Sequence, residues 1–152
     1  SFRVFDRATM PELGENVVAS LALGEGGDLW VGTTGALCQL RDGVARGFGP
    51  AEGLPGRGVR AVLPIGPDEV WLGTRGGGVA ILRGGSMRVL SAASGLVHDG
   101  VWWLARDRER VMVGSIPSGT FATISERAKM AATKKPRPAR NPRIKKIPII
   151  RM

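Results

Sequence analysis

The sequence predicts an all-β protein, and three observations support this fold class. The segment Asp28–Thr33 (DLWVGT) returns 41 residues later as Glu69–Thr74 (EVWLGT), and again in weaker form as Arg110–Ser115 (RVMVGS). The chain contains 23 glycines, many of which fall in turns between short apolar runs. These breaks leave no window with the sustained 3.6-residue period of a helix. A fixed period of this size indicates units that bury their apolar faces against their neighbours.

Each unit is predicted to contain short strands joined by tight turns. The apolar runs of the first two units are 17–23, 29–33, 36–40 and 44–48, then 59–63, 70–74, 79–82 and 87–90. The third unit supplies 101–105 and 111–114, and it stops before a third and a fourth strand. Consecutive strands separated by turns that contain glycine and aspartate form an antiparallel meander.

The first two strands of each unit are apolar on both of their alternating faces. In the first unit Leu29 and Val31 alternate with Trp30 and Gly32, and alternate residues of a strand point to opposite faces of a sheet. This pattern predicts a sheet that lies between two neighbouring sheets. Gly32 and its equivalents Gly73 and Gly114 are expected where crowding leaves little room for a Cβ opposite a tryptophan.

Stacked four-stranded sheets of about 40 residues are the blades of a β-propeller. A β-solenoid is the alternative, but its coils are normally shorter than 41 residues. We therefore expect a propeller fragment of about three four-stranded antiparallel blades. Its predicted parts are 1–14 (the outer strand of a preceding blade, at 2–5, and a connection), 15–52 (blade), 53–94 (blade), 95–118 (partial blade) and 119–152 (basic, disordered tail).

The repeat resembles the two-component regulator propeller repeat of bacterial sensor proteins. In the best copy the resemblance rests on Gly53, Leu54, Pro55, Val59, Val62, Asp68, Val70, Trp71, Leu72, Gly73, Thr74, Gly77 and Gly78. In the copy before it the carrying residues are Val18, Leu21, Asp28, Leu29, Trp30, Val31, Gly32, Thr33 and Gly35. The resemblance covers about residues 2 to 115, and the third copy departs from it at Met112 and Ser115.

The resemblance implies a fragment of a seven-bladed propeller in the periplasmic or extracytoplasmic input region of an inner-membrane sensor kinase, hybrid regulator or diguanylate cyclase. It implies a small-molecule or carbohydrate ligand, and a downstream signalling domain in the same full-length protein as the partner. The chain shows no kinase histidine box, no ATP-lid motif and no apolar run long enough to span a membrane. We therefore expect a sensing module without catalytic activity, cofactor or metal, and the sequence assigns no ligand-binding residues.

Charge divides the chain into two parts. Before residue 127 there are 12 arginines and 13 acidic residues, whereas residues 127–152 carry 10 lysines and arginines and no acid. A genuine basic arm of this kind would bind nucleic acid or an anionic membrane surface, and this is the alternative function. The abrupt change in composition favours the other interpretation, an artefact of a frameshift or a truncated gene.

The aromatic residues have both structural and binding interpretations. Trp30 and Trp71 occupy the same place in each unit, so we expect them to pack between blades rather than to stack on a sugar. Of the neighbours Trp102 and Trp103, one is expected to be exposed and is a candidate for binding. The lone Cys38 is expected to be a small core residue, and it permits neither an internal disulfide nor a zinc cluster of cysteines.

Polar residues give no assembled catalytic site. A propeller enzyme such as a lyase is disfavoured, because His98 and Asp99 are adjacent in a connection and are not expected to converge. Residues 76–78, all glycine, are interpreted as a hairpin turn rather than a phosphate loop. The series Asp28, Asp68 and Asp107 is interpreted as turn-stabilising rather than calcium-binding. An unclosed propeller also predicts self-association through its open blade faces.

Overall fold

The computed structural model describes residues 1–96, 98–108, 110–115 and 120–125 of the 152-residue chain, and it confirms the all-β class. The described residues form eleven strands and three single turns of 3-10 helix. The strands are β1 (Val18–Leu23), β2 (Leu29–Thr33), β3 (Leu37–Arg41), β4 (Val44–Phe48), β5 (Val59–Gly66), β6 (Glu69–Thr74), β7 (Val79–Arg83), β8 (Ser86–Leu90), β9 (Val101–Asp107), β10 (Arg110–Ser115) and β11 (Thr120–Ser125). The 3-10 turns are Pro11–Leu13, Pro50–Glu52 and Ala92–Ser94.

The strands form three antiparallel sheets in chain order. The first sheet contains β1 to β4, the second β5 to β8 and the third β9 to β11, and each strand pairs with the next one along the chain. This is the predicted meander. It arises because turns of two to five residues can only return the chain to an adjacent, antiparallel position. Within the described part of the chain, no helix is long and apolar enough to span a lipid bilayer.

The third sheet has a third strand, which the sequence interpretation placed in the tail. Strand β11 pairs with β10 from Arg110 opposite Ser125 to Ser115 opposite Thr120. The prediction that the third unit stops after two strands was therefore wrong. The segment is rich in β-branched residues, which favour strands, and Ile124 packs against the core between the second and third sheets. The basic stretch 127–152 lies outside the described residues, so the two interpretations of it stay predictions.

The strand expected at residues 2–5 is not formed. Residues 1–6 have no regular secondary structure, and the side chains of Phe2 and Val4 are exposed to solvent. An outer strand needs a paired neighbour to satisfy its backbone N–H and C=O groups. No described strand lies beside these residues to supply that pairing.

Two apolar cores lie between successive sheets. The core between the first and second sheets contains Trp30, Leu37, Phe48, Leu54, Val59, Val70, Leu72, Ala80 and Leu82. The core between the second and third sheets contains Trp71, Val79, Ile81, Leu96, Val101, Val111 and Val113. The second sheet is therefore buried on both faces, as the two-sided apolar pattern of β6 predicted.

The repeated glycines are contact points between sheets. A Cβ at Gly32 would lie 2.9 Å from Cγ1 of Val59 in the second sheet, and a Cβ at Gly73 would lie 2.7 Å from Cγ1 of Val101 in the third. The predicted crowding is confirmed at both glycines, but a valine of the next sheet takes the place of the tryptophan, and at Gly32 the Ser20 hydroxyl of the same sheet lies closer still. The exception is Gly114, which the indole of Trp103 covers.

The outer face of the first sheet is only partly covered. Leu13, from the first 3-10 turn, packs with Val31 and Cys38 in a small third core. Leu21 and Leu23 of β1 remain 63% and 76% exposed. The two-sided burial predicted for the first sheet therefore fails at β1, since no described sheet packs against this face. Cys38 is fully buried, as predicted, and burial is the main cause that raises the pKa of its thiol.

The threonine of each Gly-Thr pair forms hydrogen bonds that stabilise the following turn. Thr33 Oγ1 donates to the carbonyl of Leu13 at 2.7 Å and accepts from the backbone N–H of Ala36 at 3.0 Å. Thr74 Oγ1 donates to the carbonyl of Gly78 at 2.8 Å. Both threonines are fully buried, where a hydroxyl requires hydrogen-bond partners. This requirement explains why the threonine repeats with the tryptophan.

Candidate functional site

A cleft of about 140 Å³ opens between the first and second sheets. It lies at the end of the sheets where β3 turns into β4, β5 into β6 and β7 into β8. The lining residues are Trp30, Gln39, Arg41, Arg46, Phe48, Pro67, Asp68, Val70, Leu82, Gly84 and Gly85. Because strand residues two apart share a face, Gln39 and Arg41 of β3 reach the cleft together, as do Arg46 and Phe48 of β4.

The floor of the cleft is aromatic and one wall is cationic. The ring centroids of Trp30 and Phe48 lie 6.3 Å apart with an interplanar angle of 35°. The guanidinium carbon of Arg46 lies 4.8 Å from the Phe48 centroid. This cation–π contact orients the Arg46 side chain along the cleft wall.

A buried carboxylate fixes the second arginine. Asp28 is only 2% exposed, and its two oxygens accept hydrogen bonds from the Arg41 guanidinium and from Nε2 of Gln39 at 2.9 Å. The hydrogen bonds from Arg41 are the main cause that lowers the pKa of Asp28, and the same contact raises the pKa of Arg41. The Arg41 side chain is about half exposed, so its remaining N–H groups are available to a ligand.

Within the aspartate series, the turn-stabilising role predicted for Asp28 was wrong. Asp28 does not stabilise a turn through its carboxylate; it ties β2 to β3 through Arg41 and Gln39. The equivalent residue in the second sheet is Glu69 rather than Asp68. Oε1 of Glu69 accepts from Nε1 of Trp71 at 2.7 Å, and its Oε2 lies 3.6 Å from Nε of Arg83.

Replacing Asp28 by asparagine is expected to flatten the acid limb of the stability curve. A carboxyl whose pKa is lowered by folding stabilises the folded state above its ordinary value of 3.8, and it loses that contribution as the pH falls through the folded-state pKa. Urea unfolding at a series of pH values between about 2 and 7 measures this dependence. Asp107→Asn, at an exposed position, controls for the loss of one carboxylate, and a wild-type slope in Asp28→Asn would contradict the ion pair.

One lining position of the cleft differs between the first and second sheets, whereas the acid–arginine pair of Asp28 and Arg41 recurs as Glu69 and Arg83. In register, Gln39 is opposite Arg46 in the first sheet, and Ile81 is opposite Arg88 in the second. Ile81 packs in the apolar core between the second and third sheets. Gln39, at the equivalent position of the first sheet, instead carries a polar side chain that donates to Asp28. A position that only holds the sheets together should keep its character from unit to unit. The change therefore distinguishes the first interface from the second at this one position.

The size of the cleft limits what it can hold. Pockets for whole small-molecule ligands usually measure roughly 300–1,000 Å³, so a cleft of about 140 Å³ admits a small polar group or one end of a larger ligand. The arginine N–H groups suit a carboxylate, a phosphate or sugar hydroxyls. Among the lining residues Asp68 supplies a carboxylate acceptor, and the aromatic floor suits an apolar ring face.

The tryptophans fall into two classes. Trp30 and Trp71 are buried and each packs against the next sheet, so the predicted packing role is confirmed. Trp102 and Trp103 are 44% and 43% exposed, whereas the simple alternation predicted one exposed and one buried side chain. The difference arises because the β9–β10 ladder skips Trp102, and such a bulge breaks the alternation of side chains.

The remaining candidates have local structural roles. Nδ1 of His98 accepts from the backbone N–H of Gly100 at 2.9 Å, and Oδ1 of Asp99 accepts from that of Ala92 at 2.6 Å. The two side chains thus bind separate backbone groups. Residues 76–78 form the turn between β6 and β7, as predicted, with positive φ at Gly76 and Gly78.

Comparison with known proteins gives a likeness of fold. No family model matches the sequence, and no curated protein matches it. An extracellular domain assigned to a hybrid two-component system, BT3049 from B. thetaiotaomicron, matches with a TM-score of 0.61 and 18% identity over 73% of this chain and 16% of its own. Two structures of the extracellular domain of BT4673 from the same organism, assigned to a one-component and to a hybrid two-component system, also give 0.61, at 14% and 15% identity. Each of the two BT4673 matches covers 76% of this chain and 18% of the solved chain. The chain therefore has the fold of a small part of these extracellular domains.

Proposed function

We propose that the chain is a sensory, ligand-binding part of the extracytoplasmic region of a bacterial two-component signal-transduction protein, with no catalytic activity of its own. The observation that carries this proposal is the likeness of its fold to extracellular domains assigned to such systems. The repeat resemblance of residues 2 to 115 points to the same class of protein.

In this proposal the three sheets are consecutive blades of a β-propeller. The contact of Val59 on Gly32 recurs as Val101 on Gly73, so similar packing relates the first sheet to the second and the second to the third. Repeating one rotation of this kind arranges sheets around an axis, as in a propeller. The exposed Leu21 and Leu23 then belong to the face that a preceding blade covers.

The ligand is a small molecule or carbohydrate that enters the cleft between the first two sheets. The arginines supply donors in fixed positions, because Asp28 holds Arg41 and Phe48 orients Arg46. Side chains held by such contacts lose less conformational entropy when a ligand binds. Occupation of the cleft draws the two sheets together, and a downstream signalling domain of the full-length protein responds to this change.

Removing Arg46 is expected to weaken ligand binding at the cleft by about tenfold, which corresponds to one charge-assisted hydrogen bond of roughly 1.4 kcal/mol. Thermal-shift screening of the full chain against a panel of neutral and acidic saccharides identifies the ligand, and calorimetry measures its affinity for each variant. Arg88→Ala is the matched control, because it removes an arginine from the same register position of the next sheet.

The proposal makes a clear distinction between these variants. Arg46→Ala should lose affinity while Arg88→Ala keeps it within about twofold of the original chain. A panel in which no compound raises the unfolding temperature would contradict a ligand-binding role for this chain. Equal losses in the two variants would place the ligand away from the cleft.

A further inference from the structure

Near the start of the first strand of each sheet, one residue is displaced from the ladder with the second strand. In β1 the register passes from Val18 directly to Ser20, and in β5 it passes from Val59 to Ala61. In β9 it passes from Val101 to Trp103. The extra residues at this position are therefore Ala19, Arg60 and Trp102, and β5 has a second bulge at Ile65. Such bulges re-aim a side chain away from the regular face of a sheet.

Two of these residues meet between the second and third sheets. The guanidinium carbon of Arg60 lies 3.6 Å from the ring centroid of Trp102, which is stacking distance. The stack fixes the plane of the guanidinium and leaves its edge, which carries the N–H donors, free of the ring. The first sheet has Ala19 at this position, so it supplies no third member to the stack.

A second arginine lies at the same place. Arg75 follows β6; its backbone N–H donates to the carbonyl of Gly58 at 3.2 Å, and the residue pairs with Gly100 just before β9. Partial burial and, second, the charge of Arg75 lower the pKa of Arg60. Among the described residues no carboxylate lies within 4.0 Å of either guanidinium. Arg75 thus adds a second positive charge beside Arg60, and no described carboxylate pairs with either of them.

We propose that Arg60, Arg75 and Trp102 form a binding site for an oxyanion: a carboxylate, sulfate or phosphate group of a small molecule. An oxyanion at this place offsets the two positive charges and accepts charge-assisted hydrogen bonds from the arginines. The partly exposed indole offers further surface for the body of the ligand, and a sugar ring attached to the anion fits this surface. The site is separate from the Arg46 cleft, so it stands whether or not the cleft binds a ligand.

The test uses the indole N–H signal of Trp102 in the ¹⁵N-labelled full chain. The Trp102→Phe variant identifies this signal among those of the four tryptophans. The probes are sodium sulfate and sodium glucuronate, with sodium chloride holding the ionic strength constant and glucose as the neutral sugar. We expect a saturable shift of the Trp102 signal with both oxyanions and no shift with chloride or glucose. Tighter binding of glucuronate than of sulfate would support an acidic sugar, and the reverse would support an inorganic anion.

Substitutions of single arginines distinguish a specific oxyanion site from non-specific electrostatic attraction to a basic protein. Arg60→Gln and Arg75→Gln should each weaken oxyanion binding by at least tenfold. Arg110→Gln removes the same charge at the opposite end of the third sheet and should leave the affinity within twofold. The Trp71 indole signal reports whether each variant keeps its fold. A wild-type affinity in Arg60→Gln and Arg75→Gln, an equal loss in Arg110→Gln, or a shift that chloride reproduces would overturn the proposal.

Discussion

Trp71→Ala is expected to lower the free energy of unfolding by about 3–5 kcal/mol, the range for large-to-small substitutions of buried aromatic residues. Trp71 is only 1% exposed and lies in the core between the second and third sheets. Its Nε1 also donates to Glu69 at 2.7 Å, so the substitution takes a donor from a buried carboxylate as well as leaving a cavity. Small domains are stable by roughly 5–15 kcal/mol, and this loss is a large part of that.

Urea unfolding followed by circular dichroism measures the loss. Trp103→Ala is the matched control, since it deletes the same side chain from a position that is 43% exposed. We expect Trp103→Ala to lower the free energy of unfolding by less than half as much, because Trp103 buries less apolar surface in the folded protein. Equal losses in the two variants would show that the inter-sheet core does not hold the described sheets together.

The strands and the core could be predicted because they depend on short-range patterns. Alternation of apolar residues in β2 and β6, with turn residues on either side, determines which segments pair and which faces are buried. The 41-residue period then places Trp30 and Trp71 in equivalent environments. Both features are properties of one unit repeated, and a single sequence displays them.

The parts that were missed depend on contacts between units. The bulges at Arg60 and Trp102 cannot be recognised from the local sequence pattern. They depend on the register in which each strand pairs with its neighbour. The partner of Gly73 is a valine 28 positions later, in another sheet. Strand β11 was missed for a different reason: it follows the last glycine, at Gly119, and lacks the repeat's marker residues.

The candidate cleft left a signal that the repeat comparison could have used. Asp28 and Glu69 each stand two residues before the repeated tryptophan. This shared position could have identified the buried acid, whereas the turn aspartates could not. Gln39 and Arg41 share one face of β3, and this pairing of polar residues on a strand that faces another sheet is unusual. What the sequence could not supply is the packing that brings Arg46 and Asp68 from different sheets to one opening.

Gly78→Ala is expected to be the most damaging substitution in a turn, with a loss of at least about 3 kcal/mol in the free energy of unfolding. Gly78 has a φ of +81°, and a Cβ there would meet the carbonyl oxygen of Leu90 well inside contact distance. Relief requires movement of the backbone, and the Gly78 carbonyl accepts from both the N–H and the Oγ1 of Thr74. The Gly78 N–H in turn donates to the Asp99 carbonyl at 2.7 Å, in the connection to the third sheet.

Gly76→Ala separates crowding from backbone strain. Gly76 lies in the same turn with a φ of +83°, yet a Cβ there would meet nothing within 4 Å. Its substitution therefore carries only the cost of a left-handed alanine, roughly 1–2 kcal/mol. Urea unfolding of both variants gives the difference directly. If Gly76→Ala and Gly78→Ala lose the same free energy of unfolding, the close approach of this turn to β8 does not require a glycine. The glycines of the turn would then be needed only for their positive φ.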